Sequence, residues 1–142
     1  MMPPNAAADI ANILATCRTV AVVGLSATPA RPSYGVARYM QAHGWRIIPI
    51  NPNETDILGE KCFPSLTAAA NQEKFDLVNV FRNSAVVPPI VEEAIALVSL
   101  AGIKAIWMQQ GISNPQAAAA AQASGLIVVQ DRCLKIEHRL LQ

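Results

Sequence analysis

Short, mostly apolar runs punctuate this chain: Val20 to Val23, Trp45 to Ile50, Leu77 to Phe81, Ile103 to Met108 and Leu126 to Val129. Runs of this length, rich in β-branched residues, predict strands buried on both faces of a parallel sheet. The stretches between them carry the longer repeat of amphipathic helices. Ile10, Ile13 and Leu14 place a leading helix at Asp9 to Cys17. Val36, Tyr39 and Met40 define one face of a helix that starts at Ser33, read as its cap, and ends at His43-Gly44. The segment ETDILGEKCFPSLTAAANQEKF reads as looser, with a turn at Gly59 and one short helix capped by Ser65 or Thr67. A helix covers Val87 to Leu100, with Pro88 and Pro89 in its first turn and Gly102 just past its end. Asn114 with Pro115 opens an alanine-rich helix that stops at Ser124-Gly125, and DRCLKIEHRLLQ forms the last helix.

Strands alternating with helices across short connections imply βαβ units with right-handed crossovers. Five strands so connected predict an α/β fold: a doubly wound, parallel, five-stranded sheet with helices on both faces. Its strand order is 3-2-1-4-5 or 2-1-3-4-5. Without a repeat or an interdomain linker, residues 1–142 are read as a single domain. A composition 52% hydrophobic and 15% charged suits two-sided burial and excludes disorder. The net charge of +1, with no basic run, leaves no electrostatic footprint for nucleic acid. Asp76, Arg82, Lys104 and other polar residues interrupt the apolar runs, so no membrane span is expected. No positive charge precedes the apolar part of MMPPNAAADIANILATC, which argues against a secretory signal. Cys17, Cys62 and Cys133, odd in number and without a CxxC, read as reduced thiols of a cytoplasmic protein.

Ligands of an open parallel sheet bind beyond the carboxyl ends of its strands, at the switch point beside the first. The loop after the first strand is the richest. Gly24 permits a sharp turn or a close approach, Ser26, Ala27 and Thr28 are small or hydroxylated, and Arg31 brings a cation. Ser33, Tyr34 and Gly35 then open the helix. Strand, glycine turn, hydroxyl-rich loop and helix N-terminus together present amide donors and a positive dipole end, so a phosphorylated ligand is expected there. The other strand ends offer Asn51-Pro52-Asn53, Phe81 and Arg82 with Asn83-Ser84, and Gln109-Gln110-Gly111. Arg31 and Arg82 are read as converging on phosphate oxygens. Ser26 and Thr28 are open to two roles, ligand contact or satisfaction of turn amides. Tyr39 is read as packing.

Known phosphate fingerprints are absent. There is no GxxxxGK[ST], and Gly24 is followed by Leu25-Ser26-Ala27-Thr28-Pro29 rather than by GxGxxG. Asn51 replaces the acid that would hold a ribose diol, which disfavours NAD, although Glu54 leaves a narrow opening for it. Cys133 and His138 are five residues apart, out of register on a helix and too few for zinc. Cys133 is therefore read as a small core filler, Asp131 and Arg132 as an ion pair or cap, and His43 as complementing a helix dipole.

VAVVGLSATPARPSYGVARYM, IIPINPN, ILGEKCFPSL, DLVNVFRNSAVVPPIVEEAI, IWMQQGI and GLIVVQDRCLKIEHRLL, in this order and over nearly the whole chain, resemble the small stand-alone CoA-binding protein family. The resemblance implies the Rossmann-like fold of the CoA-binding domain that opens succinyl-CoA synthetase α subunits. Coenzyme A is the ligand it implies. By the synthetase's pattern, Ser26-Ala27-Thr28-Pro29, Pro52-Asn53-Glu54 and Met108-Gln109-Gln110 would contact it. Glu54 or its neighbour stands where the synthetase has a lysine, and Asn79 replaces an aspartate often seen in such sequences. The synthetase's phosphorylated histidine belongs to a second domain, and neither His43 nor His138 lies in a comparable glycine-rich loop. The expectation is a protein that binds CoA or an acyl-CoA, with loop amides, Arg31 and Arg82 on the phosphates, and no catalytic residue or metal of its own. An acyl-CoA enzyme subunit completed by a partner chain, and an NAD(P)-binding regulator, are the alternatives. A homodimer or an unidentified protein partner stays open.

Overall fold

The computed structural model describes residues 6–142; residues 1–5, where the stretch read as lacking a secretory signal begins, lie outside them. Along the chain come α1 (Ala6–Thr16), β1 (Thr19–Val23), α2 (Pro32–Ala42), β2 (Arg46–Ile50), β3 (Asp56–Ile57), β4 (Glu60–Lys61) and α3 (Leu66–Ala70). They are followed by β5 (Leu77–Val80), α4 (Val87–Ala96), β6 (Ala105–Met108), α5 (Pro115–Ala123), β7 (Ile127–Val129) and α6 (Leu134–Leu140). The main sheet runs β2-β1-β5-β6-β7, every neighbouring pair parallel. Of the two strand orders left open, this is 2-1-3-4-5.

Because side chains alternate across a strand, each strand feeds two cores. Val20, Val22, Ile47, Leu77 and Trp107 pack with Ile13 of α1, Met40 of α2 and Leu134 of α6. Ala21, Val23, Ile48, Val78, Val80, Ile106 and Met108 pack with Leu66 of α3, Val91 of α4 and Ala121 of α5. Each such Val, Leu, Ile or Met side chain contributes about 1.5–3 kcal/mol on burial, so both helix layers are held by the sheet. Trp107 is wholly buried, and its indole N–H donates to the Arg132 carbonyl at 2.9 Å, which ties the segment after β7 onto the sheet.

Several local expectations change. The segment read as loose folds in part into the β3–β4 hairpin, turned by Leu58 and Gly59 at φ 55° and 77°, with an Ile50–Phe63 bridge behind it. Two-residue strands leave no periodicity to read. Arg31, not Ser33, occupies the N-cap of α2, and no side chain caps it. Ser33 is buried instead, and its hydroxyl accepts the Ser26 N–H at 3.0 Å. The helix expected to reach Leu100 ends as α4 at Ala96 and continues as a π-helical turn over Val98–Gly102. Ser65 is the cap of α3, its side chain accepting from Ala68 N. His43 does sit at the C-terminus of α2, with Nδ1 2.8 Å from the Tyr39 carbonyl.

Cys17 and Cys62 are buried. Burial above all pushes each thiol up to about 11, with Asp76 adding to the effect at Cys17 and Glu54 and Asp56 at Cys62. An unfolded chain ionises these thiols near 9, so between the two values the folded state holds more protons. Stability from these groups is therefore complete below pH 9 and falls as pH rises toward 11. Urea midpoints taken across that window should drop less in a Cys17→Ala/Cys62→Ala double variant than in the parent. Equal slopes would remove the thiols from the account.

Candidate functional site

Gly24 ends β1 at φ 87°, in the left-handed region. A Cβ there would stand 2.9 Å from Arg82 Cδ and 3.0 Å from the Phe81 carbonyl oxygen. Only glycine lets the first loop pass the end of β5 at this distance. The strand ends are tied together around it: Gly24 N–H donates to the Ile50 carbonyl at 3.1 Å, and Phe81 N–H to that of Val23 at 2.9 Å.

Two cavities flank this residue, and both are lined by it. The larger, about 1030 Å³, lies between the first loop and α6. It gathers Ser26, Thr28, Arg31, Ser33, Gly35, Phe81, Gln109 and Gln110 from the expected set. The smaller, about 480 Å³, gathers Asn51, Pro52, Asn53 and Arg82, with Ser65 and Glu93. Arg31 and Arg82 thus do not converge; they stand in different cavities on either side of Gly24. The remaining expected residues, Ala27, Tyr34, Met108 and Gly111, line neither cavity. Met108 is fully buried on the opposite face of the sheet, and Tyr34 packs against the core. Gly111 gives its N–H to Asp131 Oδ1 at 2.7 Å.

Short-range hydrogen bonds set the loops. Ser26 Oγ accepts the Thr28 N–H at 3.0 Å, so the turn-amide role is realised at Ser26, whose residue still lines the cavity. Asn51 Nδ2 donates to the Leu25 carbonyl at 2.9 Å and Asn51 Oδ1 accepts from Asn53 N at 2.8 Å. Asn51 therefore joins the first two loops and shapes the smaller cavity through them. Pro32 and Ser33 bring the uncapped N-terminus of α2, with its partial positive charge, to the larger one. Gln109 closes the floor: Oε1 accepts the Leu134 N–H at 3.3 Å and lies 3.4 Å from Asn79 Nδ2.

The wall from α6 was not anticipated. Cys133, Lys135, Ile136 and Arg139 all line the larger cavity, so it carries three cationic side chains with Arg31. The signal was present in the spacing of Lys135 and Arg139, one helical turn apart. Cys133 is half-buried and packs against the core as expected, and it lines this cavity as well. Asp131 holds the Gly111 turn rather than pairing with Arg132, whose backbone N–H donates to the Met108 carbonyl at 3.3 Å. His138 turns to α2, with Nδ1 2.9 Å from the Tyr39 hydroxyl. Burial first, then the charges of His43 and Arg18, lower its affinity for a proton below the ordinary histidine range. Among the described residues no group of three His, Cys, Asp or Glu is placed to hold a metal ion, and no helix is long and apolar enough to cross a membrane.

Comparison with known proteins gives the chain's relatives. The chain is 37% identical over 131 residues to the uncharacterized protein YneT of Bacillus subtilis, covering 92% of this chain and 93% of that one. It is 31% identical over 100 residues to an ADP-forming acetate–CoA ligase of Archaeoglobus fulgidus, a match to 68% of this chain but only 14% of the ligase. A solved structure of a hypothetical protein from Pyrococcus horikoshii superposes with a TM-score of 0.89 at 34% identity, covering 100% of this chain and 98% of the other. The family model described as the CoA binding domain matches residues 18–139, a span that includes every residue lining the two cavities, and the chain belongs to that family.

Proposed function

We propose that this chain, acting as one domain, binds coenzyme A or an acyl-CoA across the two cavities and has no catalysis of its own. The observation that carries the reading is the pair of cavities sharing Gly24 at the switch point of the sheet, with cations in both. Coenzyme A is long, carries three phosphate groups, and needs charge at more than one place. Arg31, Lys135 and Arg139 supply it on one side of Gly24 and Arg82 on the other. The α2 N-terminus and the first-loop amides add donors suited to phosphate oxygens. A cytoplasmic setting fits a ligand of this kind and reduced thiols.

The binding-only reading is supported by the cavity inventory. In the larger cavity the polar groups are amides, hydroxyls and cations, with one thiol, and the histidine nearest that thiol in sequence is engaged by Tyr39. The smaller adds the Glu93 carboxylate, whose Oε2 is engaged by the Thr67 N–H and hydroxyl at 3.0 and 2.7 Å. General acid–base catalysis needs a titratable group within hydrogen-bond reach of the reacting atom. A second reading has a specific observation behind it. Similarity to a ligase of which this chain spans 14% favours a subunit whose reactive group comes from another chain. Co-purification of such a chain would select it. Competition between NAD and CoA separates the remaining alternative, an NAD(P)-binding regulator.

Ligand bound only by the folded state raises stability by RT ln(1 + [L]/Kd), about 2.7 kcal/mol at a hundredfold excess over Kd. The thermal shift with CoA should therefore exceed that with NAD or ATP at equal concentration. Equal shifts for the three, or none with CoA, would defeat the reading.

Arg82→Ala should weaken CoA binding by the worth of a charge-assisted contact, on the order of 1.5–3 kcal/mol in a calorimetric titration. Because Arg31 and Arg82 stand in separate cavities, dephospho-CoA should silence one of the two substitutions and not the other. Affinity unchanged in both variants would place the ligand elsewhere.

Acetyl-CoA or succinyl-CoA incubated with the protein, with and without ATP and magnesium, should release free thiol no faster than in buffer. Release that disappears in Glu54→Gln or Cys133→Ser would make the chain a catalyst.

A further inference from the structure

The smaller cavity holds a group that phosphate binding leaves unexplained, the Glu93 carboxylate of α4. The wall of the larger cavity has no acidic residue, so the acid belongs to this side of Gly24 alone. It is fixed in place. Glu93 Oε2 accepts the Thr67 N–H at 3.0 Å and the Thr67 hydroxyl at 2.7 Å, which ties it to the first turn of α3. Its Oε1 accepts nothing from the described residues. Arg82 lines the same cavity, yet the two charges do not pair: among the described residues the one ion pair joins Arg46 to Glu73. A group that only accepts and a group that only donates thus share one cavity, both open to a ligand.

Asn51 stands at the end of β2, where an acid would meet a ribose hydroxyl. Both ends of its amide are already engaged, Nδ2 with the Leu25 carbonyl and Oδ1 with the Asn53 N–H. Glu93 is the acceptor left to receive a hydroxyl here. A ribose 3′-phosphate offers what this pair lacks, a free 2′-hydroxyl donor and an anion on the next carbon. Ile50, Leu66 and Ile90 give the attached base an apolar wall, and a cavity of about 480 Å³ falls within the range of small-molecule sites.

Resting on the CoA reading, we infer that the smaller cavity is the nucleoside subsite, where Arg82 takes the 3′-phosphate and Glu93 accepts the 2′-hydroxyl beside it. The linking phosphates then fall at Gly24, which both cavities share, near the loop amides and the α2 N-terminus. With the base on the apolar wall and the 5′-phosphate at Gly24, the ribose has one orientation. A phosphate moved to the 2′ position meets the carboxylate and removes the donor that Glu93 receives. Glu93 is therefore a specificity-determining residue, which rejects 2′-phosphorylated nucleotides by charge.

Calorimetric titration of the full chain with adenosine 3′,5′-bisphosphate, its 2′,5′ isomer and 5′-AMP tests this, beside thermal shifts with CoA. The 3′,5′ compound should bind at least about tenfold tighter than 5′-AMP, the factor that one charge-assisted contact supplies. The 2′,5′ isomer should bind more weakly than either. Glu93→Gln keeps an oxygen for Thr67 and removes the charge. It should strengthen the 2′,5′ isomer several-fold and change the 3′,5′ compound less, whereas a merely structural role would move both alike. Arg82→Ala should weaken the 3′,5′ compound and leave 5′-AMP unchanged. Equal affinities for the two isomers, preference for the 2′,5′ isomer, or an unchanged ratio in Glu93→Gln would overturn the inference. The ordering in the parent chain decides alone if that variant does not fold. A CoA shift without selectivity between the isomers refutes the subsite and leaves the CoA reading standing. Selective binding of the 3′,5′ compound without a CoA shift keeps the subsite and refutes the CoA reading, and no response to any of them refutes both.

Discussion

The passage of the Gly24 backbone against the end of β5 is the constraint on which the site depends. With 2.9 Å between a notional Cβ and Arg82 Cδ, and 3.0 Å to the Phe81 carbonyl, no side chain can stand there without moving the strand end. The φ of 87° adds a second, independent penalty for any other residue. Close approach at this point sets the stem of Arg82 beside the first loop and divides the carboxyl edge into two spaces. Both cavities, and the separation of their cations, follow from one missing methyl group.

Much of the fold was legible because burial on both faces writes itself as continuous apolar runs. All five main strands, and the six helices flanking them, stand where those runs and their glycine, proline and serine punctuation place them. Ends shifted where tertiary contacts outweigh local preference. Ser33 has the chemistry of a cap, yet its hydroxyl serves Ser26, and Arg31 takes the cap position without a side-chain bond. Strand order was readable only to within two alternatives, because pairing partners lie far apart in sequence.

The site was less legible than the fold. Loop residues after β1, β2, β5 and β6 could be listed from the rule that ligands collect at the carboxyl edge. That rule does not say which helix covers the edge, so the sequence leads to Cys133 as core filler and ties neither Lys135 nor Arg139 to a cavity. Asn79 shows the same limit. In register opposite Trp107 and Val22, it looks like a defect in an apolar strand. Its amide nitrogen bonds the Trp107 carbonyl at 3.1 Å and reaches toward Gln109, while its buried Oδ1 has no donor among the described residues. An unsatisfied acceptor costs about 1–3 kcal/mol. Such a cost beneath the floor of a cavity is where local rules are expected to give way.

The placement of α6 has a consequence in time. A growing chain leaves the ribosome N-terminal end first, at roughly 5–20 residues per second. Gly24 and its loop emerge early, Phe81 and Gln109 later, and Cys133, Lys135 and Arg139 after the sheet strands they cover. Until then the larger hollow is an open shelf, with the α2 N-terminus exposed and Gln109 lacking the Leu134 amide that orients it. The larger cavity is thus completed by the latest of the described elements to appear, and a nascent chain carries it without its last wall.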